Sequence, residues 1–293
     1  MKNWKTTLAI GSMLLFTLCE INAQSSVWKI DGKGTTLYLG GTIHVLRPSD
    51  YPLPAEYDEV YNLVNTIVLE ADVKKLEDPQ VSQSLMAKTM YTDGGGLSKT
   101  LKKETYEALK TELQKIQIPI EGLEQFKPPM VIMTLTMLKL QRLGITSEGV
   151  DKHYYKKSES DNKKIEFFET VEEQIKMITT MGKGNEDNMV MQTIKDLDKM
   201  EEELLGMLSD WKLGESKTMD LQTTRMIKEY PSIYKSLLVD RNNAWLPKID
   251  LYMDTKNTEF ILVGTMHLHG PDGLLKQMKD KGYTVTQVIA KGK

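Results

Sequence analysis

The chain carries the same short pattern near both of its ends, and that repeat limits its fold more than any other feature. Thr36-Leu37-Tyr38-Leu39-Gly40-Gly41-Thr42-Ile43-His44 is an apolar, strand-like run that breaks at glycine and ends on histidine. Phe260-Ile261-Leu262-Val263-Gly264-Thr265-Met266-His267 repeats that layout. Each copy is followed by a loop with proline (Pro48; Pro271), a helix-compatible stretch and a further strand. Those further strands are Thr66 to Glu70 in the first copy and Tyr283 to Val288 in the second. Both ends therefore read as strand, turn, helix, strand, which is a βαβ unit with parallel strands. The fold class expected is α/β, with α+β as the alternative.

Between the two units, from about residue 74 to about residue 240, the periodicity is helical. Ser98 to Ile116 places Leu101, Tyr106, Leu109, Leu113 and Ile116 among Lys and Glu, the spacing of an amphipathic helix. Pro128-Pro129 opens an apolar helix running from Met130 to Leu143 and closed by Gly144. Glu172 to Met181 and Asn188 to Leu208 read as further helices. The organisation expected is a sheet built from both chain ends with a large helical insertion. Many of the methionines fall in that insertion, where core filling is the plain reading and an adaptable binding surface the sharper one.

The first 23 residues read as a signal peptide. Lys2 and Lys5 precede an apolar run from Leu8 to Leu18, and small Ala23 offers a cleavage point. The run is shorter than the roughly 20 residues a spanning helix needs. The single cysteine, Cys19, follows Leu18 rather than a small residue, so a lipid anchor is disfavoured. The expectation is an exported protein, periplasmic or secreted, with residues 24–293 as one domain and no stable membrane span. Such a mature chain has no cysteine, which removes disulfides, a thiolate nucleophile and thiolate metal ligands. The formal net charge of −3 moves to about −4 without Lys2, Lys5 and Glu20, and no basic patch invites nucleic acid.

A histidine just past a glycine, at the carboxyl end of a parallel strand, stands where such sheets gather ligands. One GTxH recurs by chance. Two in matched contexts, using two of only four histidines, point to a site in which His44 and His267 face one cavity. The plain alternative is a repeated tight turn. Thr42 and Thr265 are expected to orient the rings by hydrogen bonding. Glu70 and Asp72 end the strand after the first unit, and strand alternation would put both on one face. They could ligate a metal or handle protons, while Asp72 could instead cap a helix.

Further motifs complete a resemblance. They are Leu69-Glu70-Ala71-Asp72, Glu148-Gly149-Val150-Asp151, Phe168-Glu169-Thr170 with Gln174, Arg241-Asn242 with Trp245, and Val263 through Leu275. With the paired glycine–histidine turns, the chain resembles the TraB/PrgY/GumN family, which includes Tiki-like metalloproteases and is similar in fold to erythromycin-esterase-like and haem-binding ChaN-like proteins. The resemblance covers nearly all of the mature chain. It implies a metal-dependent hydrolase acting on a peptide or protein, with Mn or Co favoured and Zn possible. On that reading His44, His267 and Glu70 hold the metal, Glu169 or Asp72 is the general base, and Arg241 stabilises the oxyanion. The chain departs from the commonest pattern at Asp240, where a Glu often precedes the Arg. His269 is expected as a supporting partner if its segment stays extended, and His153 is given no role. The alternative function is a non-catalytic peptide- or haem-binding protein using the same cavity.

Overall fold

The computed structural model describes residues 24–290, so the expected signal peptide lies outside the described residues. Six strands form one mixed sheet: β1 (Gln24–Gly32), β2 (Thr35–Thr42), β3 (Thr66–Leu69), β4 (Lys164–Phe167), β5 (Glu259–Gly264) and β6 (Thr284–Ile289). Their order across the sheet is β4-β3-β5-β2-β1-β6. β4, β3, β5 and β2 are mutually parallel, while β1 runs antiparallel to both β2 and β6. The α/β class expected from the two chain ends is the class found.

The two end units are parallel as expected, and they interleave. β5, from the second unit, lies between β2 and β3 of the first, and β2 and β1 separate β5 from β6. The consequence for the site is direct. β2 and β5 pair in register with Thr42 opposite Gly264 and Gly41 opposite Val263, which sets the two glycine turns side by side.

Strand β5 is buried along its whole length, the pattern of a parallel strand covered on both faces. Phe260 and Leu262 join one apolar cluster, and Ile261 and Val263 join the other. The first cluster takes Tyr57, Tyr61, Val150, Tyr154 and Trp211 from three helices, Ala55–Leu63, Val150–Ser160 and Met200–Leu213. The second takes Trp245, Ile249, Leu274 and Met278 from helices Asp240–Tyr252 and Leu274–Asp280. A third cluster, including Leu109, Leu113, Val131, Leu135 and Val190, is the separate core of the helical segment.

Two strands depart from the sequence reading. β4 rises from within the stretch read as helical, and pairs with β3 as an edge strand. Only four residues long, with Lys164 and Glu166 alternating with Ile165 and Phe167, it is too short to declare a period. β1 makes a hairpin with β2 through Lys33 and Gly34, both at positive φ (52° and 76°), as tight hairpin turns require. The Ser98–Ile116 helix is also two helices, Leu97–Thr100 and Lys103–Lys115, and Asn188–Leu208 is broken between Asp196 and Met200.

Candidate functional site

The strand ends of β2, β3 and β5 converge on Glu70. Its Oε1 accepts the backbone N–H of Gly264 at 2.5 Å, and lies 3.9 Å from Nε2 of both His44 and His267. Gly264 is glycine for want of room. A methyl group there would stand 3.2 Å from Glu70 Oε1, 3.3 Å from His44 Nε2 and 3.6 Å from His267 Cδ2. Gly41 is crowded in the same way, because a Cβ would meet Thr265 Oγ1 at 2.8 Å. From behind, the Tyr57 hydroxyl and Trp211 Nε1–H both donate to Gly41 O, the latter at 2.8 Å, which fixes the first turn.

The two histidines sit in opposite surroundings. The His44 side chain is 56 % exposed and lines a cavity of about 250 Å³ with Glu70, Asp151 and Gln174. Its Nδ1 faces Asp151 Oδ1 at 3.3 Å, which leaves Nε2 directed at the cavity. Desolvation opposes the imidazolium, but Asp151, helped by Glu70, outweighs it, so the pKa rises to about 9. His267 is only 5 % exposed. Its Nδ1 meets Asn242 Oδ1 at 2.7 Å, while the Asn242 amide donates to the carbonyls of His267 and Asp272. Those carbonyls fix the amide orientation, so His267 Nδ1 carries the proton. Arg241 Nη1 then donates to Nε2 at 3.0 Å. Burial, with the charges of Arg241 and His44, pushes His267 down to about 3. It is a neutral acceptor across ordinary pH.

Arg241 is the centre of the cluster. Its Nη2 bonds Glu70 Oε2 at 2.5 Å and Glu169 Oε2 at 3.0 Å, its Nε bonds Glu169 Oε1 at 2.7 Å, and its guanidinium lies 4.8 Å over Trp245. Burial works against this charge, but the two carboxylates hold it above the usual arginine value. Glu70 answers in kind: burial would raise it, yet His267, Arg241, His44 and the Gly264 N–H bring it down to about 2. Because His267 is neutral above about pH 3, the charges that hold Glu70 at neutral pH are Arg241 and His44. Arg241 follows a π-helical turn, Lys235–Val239, a feature common at functional sites.

The geometry sorts the sequence candidates. His44, Glu70, Glu169, Arg241 and His267 stand together. Asp72 does not: it accepts the backbone N–H of Lys75 at 3.0 Å and caps the Val73–Leu76 helix, because the chain leaves the strand at Leu69 and alternation no longer applies. Glu169 has both oxygens engaged, by Arg241, by Trp245 Nε1 at 2.9 Å and by Gln174. It is a clamp on Arg241 rather than a free base. Thr265 Oγ1 donates to Met219 Sδ and buried Thr42 Oγ1 has no partner, so neither threonine orients a ring. His269 follows a 3-10 turn, Thr265–His267, and packs edge-on to Trp28 instead of supporting His267. His153 lies against Tyr51 and Tyr154, away from the cluster.

A family model described as the TraB/PrgY/gumN family matches residues 26–287, nearly the whole chain. The chain belongs to the TraB/PrgY/gumN family. No curated protein and no solved structure matches it. The family motifs acquire physical reasons in this fold. Gly149 abuts the backbone of His44 so closely that a Cβ would lie 2.3 Å from its carbonyl carbon, and Val150 N–H bonds Ile43 O at 3.0 Å. That contact delivers Asp151 to His44. Asp151, Asn242, Trp245 and Gln174 were legible as motif letters, and only the fold assigns their contacts.

Two imidazoles and a carboxylate are apt donors for the divalent ion that this TraB-type chain was expected to hold. As arranged here, two of the three are engaged by Arg241. Donors sharing a tetrahedral metal at about 2.1 Å stand about 3.4 Å apart, closer than the 3.9 Å separations here. The His267 lone pair is taken by Arg241. Among the described residues no three His, Cys, Asp or Glu side chains are grouped to hold a metal.

Proposed function

We propose that this family member is an exported hydrolase acting on peptide bonds at the His44–Glu70–Arg241–His267 cluster. The observation that carries the reading is the division of labour between the two turns. His44 offers Nε2 to an open cavity and is oriented by Asp151, while His267 and Glu70 fix a guanidinium beside it. A peptide carbonyl beside Arg241 would have its developing oxyanion stabilised by a preorganised charge. As pH rises toward 9 and His44 loses its proton, its free Nε2 would take a proton from the attacking water and return it to the leaving nitrogen. Export to the periplasm or the exterior belongs to the same proposal. Among the described residues no helix is long and apolar enough to cross a membrane.

One observation favours the non-catalytic alternative, a protein that holds a peptide intact. Glu70 and Glu169 are both bound by Arg241, so neither carboxylate is free to act as base, and turnover falls to His44 alone. The test uses the full chain stripped of metal and offered a diverse peptide mixture, without metal and then with Mn, Co or Zn, beside a His44→Ala variant. Metal-free cleavage that disappears in the variant supports the hydrolase written here. Cleavage only with added metal means that Arg241 withdraws from His267 and that the metal-dependent form applies. Intact peptide throughout, retained on the protein, supports sequestration.

A further inference from the structure

A cavity of about 650 Å³ opens directly on the Arg241–Glu169 pair. Its size lies within the roughly 300–1,000 Å³ typical of ligand pockets. Two helical stripes that do not close on each other form its walls. One runs from Phe168 and Glu169 through Met177 to Met181, and the other from Ile233 through Arg241 to Ala244 and Trp245. Glu169, Glu173, Met177 and Thr180 recur at three- and four-residue spacing along the first, and Ile233, Ser236, Asp240 and Ala244 along the second, which crosses the Pro231–Tyr234 helix, the Lys235–Val239 turn and the Asp240–Tyr252 helix.

The chemistry of this space differs from that of the His44 cavity. Its apolar surface comes from Phe168, Met177, Met181, Ile233 and Trp245, while lysines (Lys176, Lys183 and Lys248), Glu173 and Asp240 also line it, with Ser232, Ser236 and Asn185 able to meet a peptide backbone. Met181 and Ile233 also line a second cavity of about 240 Å³, whose other walls include Ile132, Met189 and Met226. The partition between the two spaces therefore contains a methionine, the most adaptable apolar side chain, and the pocket can deepen for a longer guest. Trp245 connects the pocket to the chemistry. Its ring carries Arg241 and lies 4.4 Å from His267, and its Nε1 bonds Glu169 at 2.9 Å.

We infer that the methionine-walled pocket between Phe168–Met181 and Ile233–Trp245 is a specificity subsite for a bulky apolar side chain of the peptide. The inference rests on the peptide reading above and holds whether the peptide is cut or kept. A leucine or methionine seated against Trp245 places the neighbouring peptide carbonyl at Arg241, and a residue as small as alanine leaves the pocket wet and the carbonyl loosely held.

The test is calorimetric binding to the full-length His44→Ala protein, which avoids turnover. The probes are blocked hexapeptides of alanine and serine in which a single leucine, methionine or alanine is scanned through each position. One position should show binding at least about tenfold tighter for leucine or methionine than for alanine, as expected when two or three buried methylene-sized groups are gained. Ala244→Trp fills the pocket from an exposed site outside the charged cluster, and should bring that preference close to unity with an unchanged melting temperature. Peptides that bind with no preference at any position, or a preference that survives Ala244→Trp, overturn the subsite while leaving the peptide reading intact. No binding of any peptide overturns both.

Discussion

The two GTxH turns share their letters and almost nothing else. The first leaves its histidine 56 % exposed against a carboxylate, with a pKa near 9, and the second buries its histidine to 5 % between an amide and a guanidinium, with a pKa near 3. The same backbone device, a glycine ending a parallel strand, thus presents one imidazole to solvent and locks the other as a neutral acceptor. The neighbours decide. Asp151 stabilises a proton on His44, whereas Asn242 spends the only proton of His267 and Arg241 occupies its lone pair. A repeated motif is evidence of a shared site and no evidence of a shared role.

That asymmetry can be broken at several points. The largest effect is expected for Arg241→Ala, which strands Glu70 and Glu169 without their buried cation. A loss of about 3–5 kcal/mol in denaturant unfolding is expected, as for other broken buried pairs, and Arg241→Lys should recover only part because it cannot bridge two carboxylates. Next, His267→Ala should cost about 2–4 kcal/mol by opening a cavity and leaving Asn242 and Arg241 without an acceptor. His44→Ala should cost less, up to about 1 kcal/mol below pH 6.5 where its half-exposed pairing with Asp151 is complete, while removing activity. Equal costs for the two histidines would erase the distinction.

The pH dependence sharpens the same contrast, because the two rings act with opposite sign. His44 has its pKa raised from 6.5 to about 9, so the folded state holds its proton more tightly. Its contribution to stability is complete below pH 6.5 and is lost as pH rises toward 9. His267 has its pKa lowered from 6.5 to about 3, so the unfolded chain binds the extra proton. Its contribution is complete above pH 6.5 and is lost as pH falls toward 3, with Glu70 adding to the loss between 4.5 and 2. Unfolding across pH should therefore show greatest stability near 6.5. Asp151→Asn should flatten the alkaline fall in stability without touching the acid one, and should move the rise of any hydrolysis with pH to lower pH, because His44 is its base only once neutral. The smallest effect is expected at Asp72→Ala, about 1 kcal/mol from a lost helix cap, with activity unchanged.

The sequence made the sheet's centre legible because β2, β3 and β5 are apolar runs punctuated by glycine or acid, and because the turn repeats. β4 and β1 were hidden. One is four residues long inside a helical stretch, and the other lies directly after the apolar leader-like segment. Within the site, His44, Glu70, Glu169, Arg241 and His267 could be named from their motifs, but not their wiring. Arg241 meets Glu70 across 171 residues and Trp245 meets Glu169 across 76, and no periodicity encodes such contacts. Asp72 failed for a local reason, since the strand alternation that paired it with Glu70 stops at Leu69.

The most direct test of the asymmetry is to follow the side-chain nitrogens of His44 and His267 by ¹⁵N NMR through a pH titration, each assigned by its single-site variant. The account predicts that His267 stays a neutral ring with its proton on Nδ1 from pH 4 upward, while His44 remains a cation until it titrates near 9. Two histidines titrating together near pH 6.5 would contradict it.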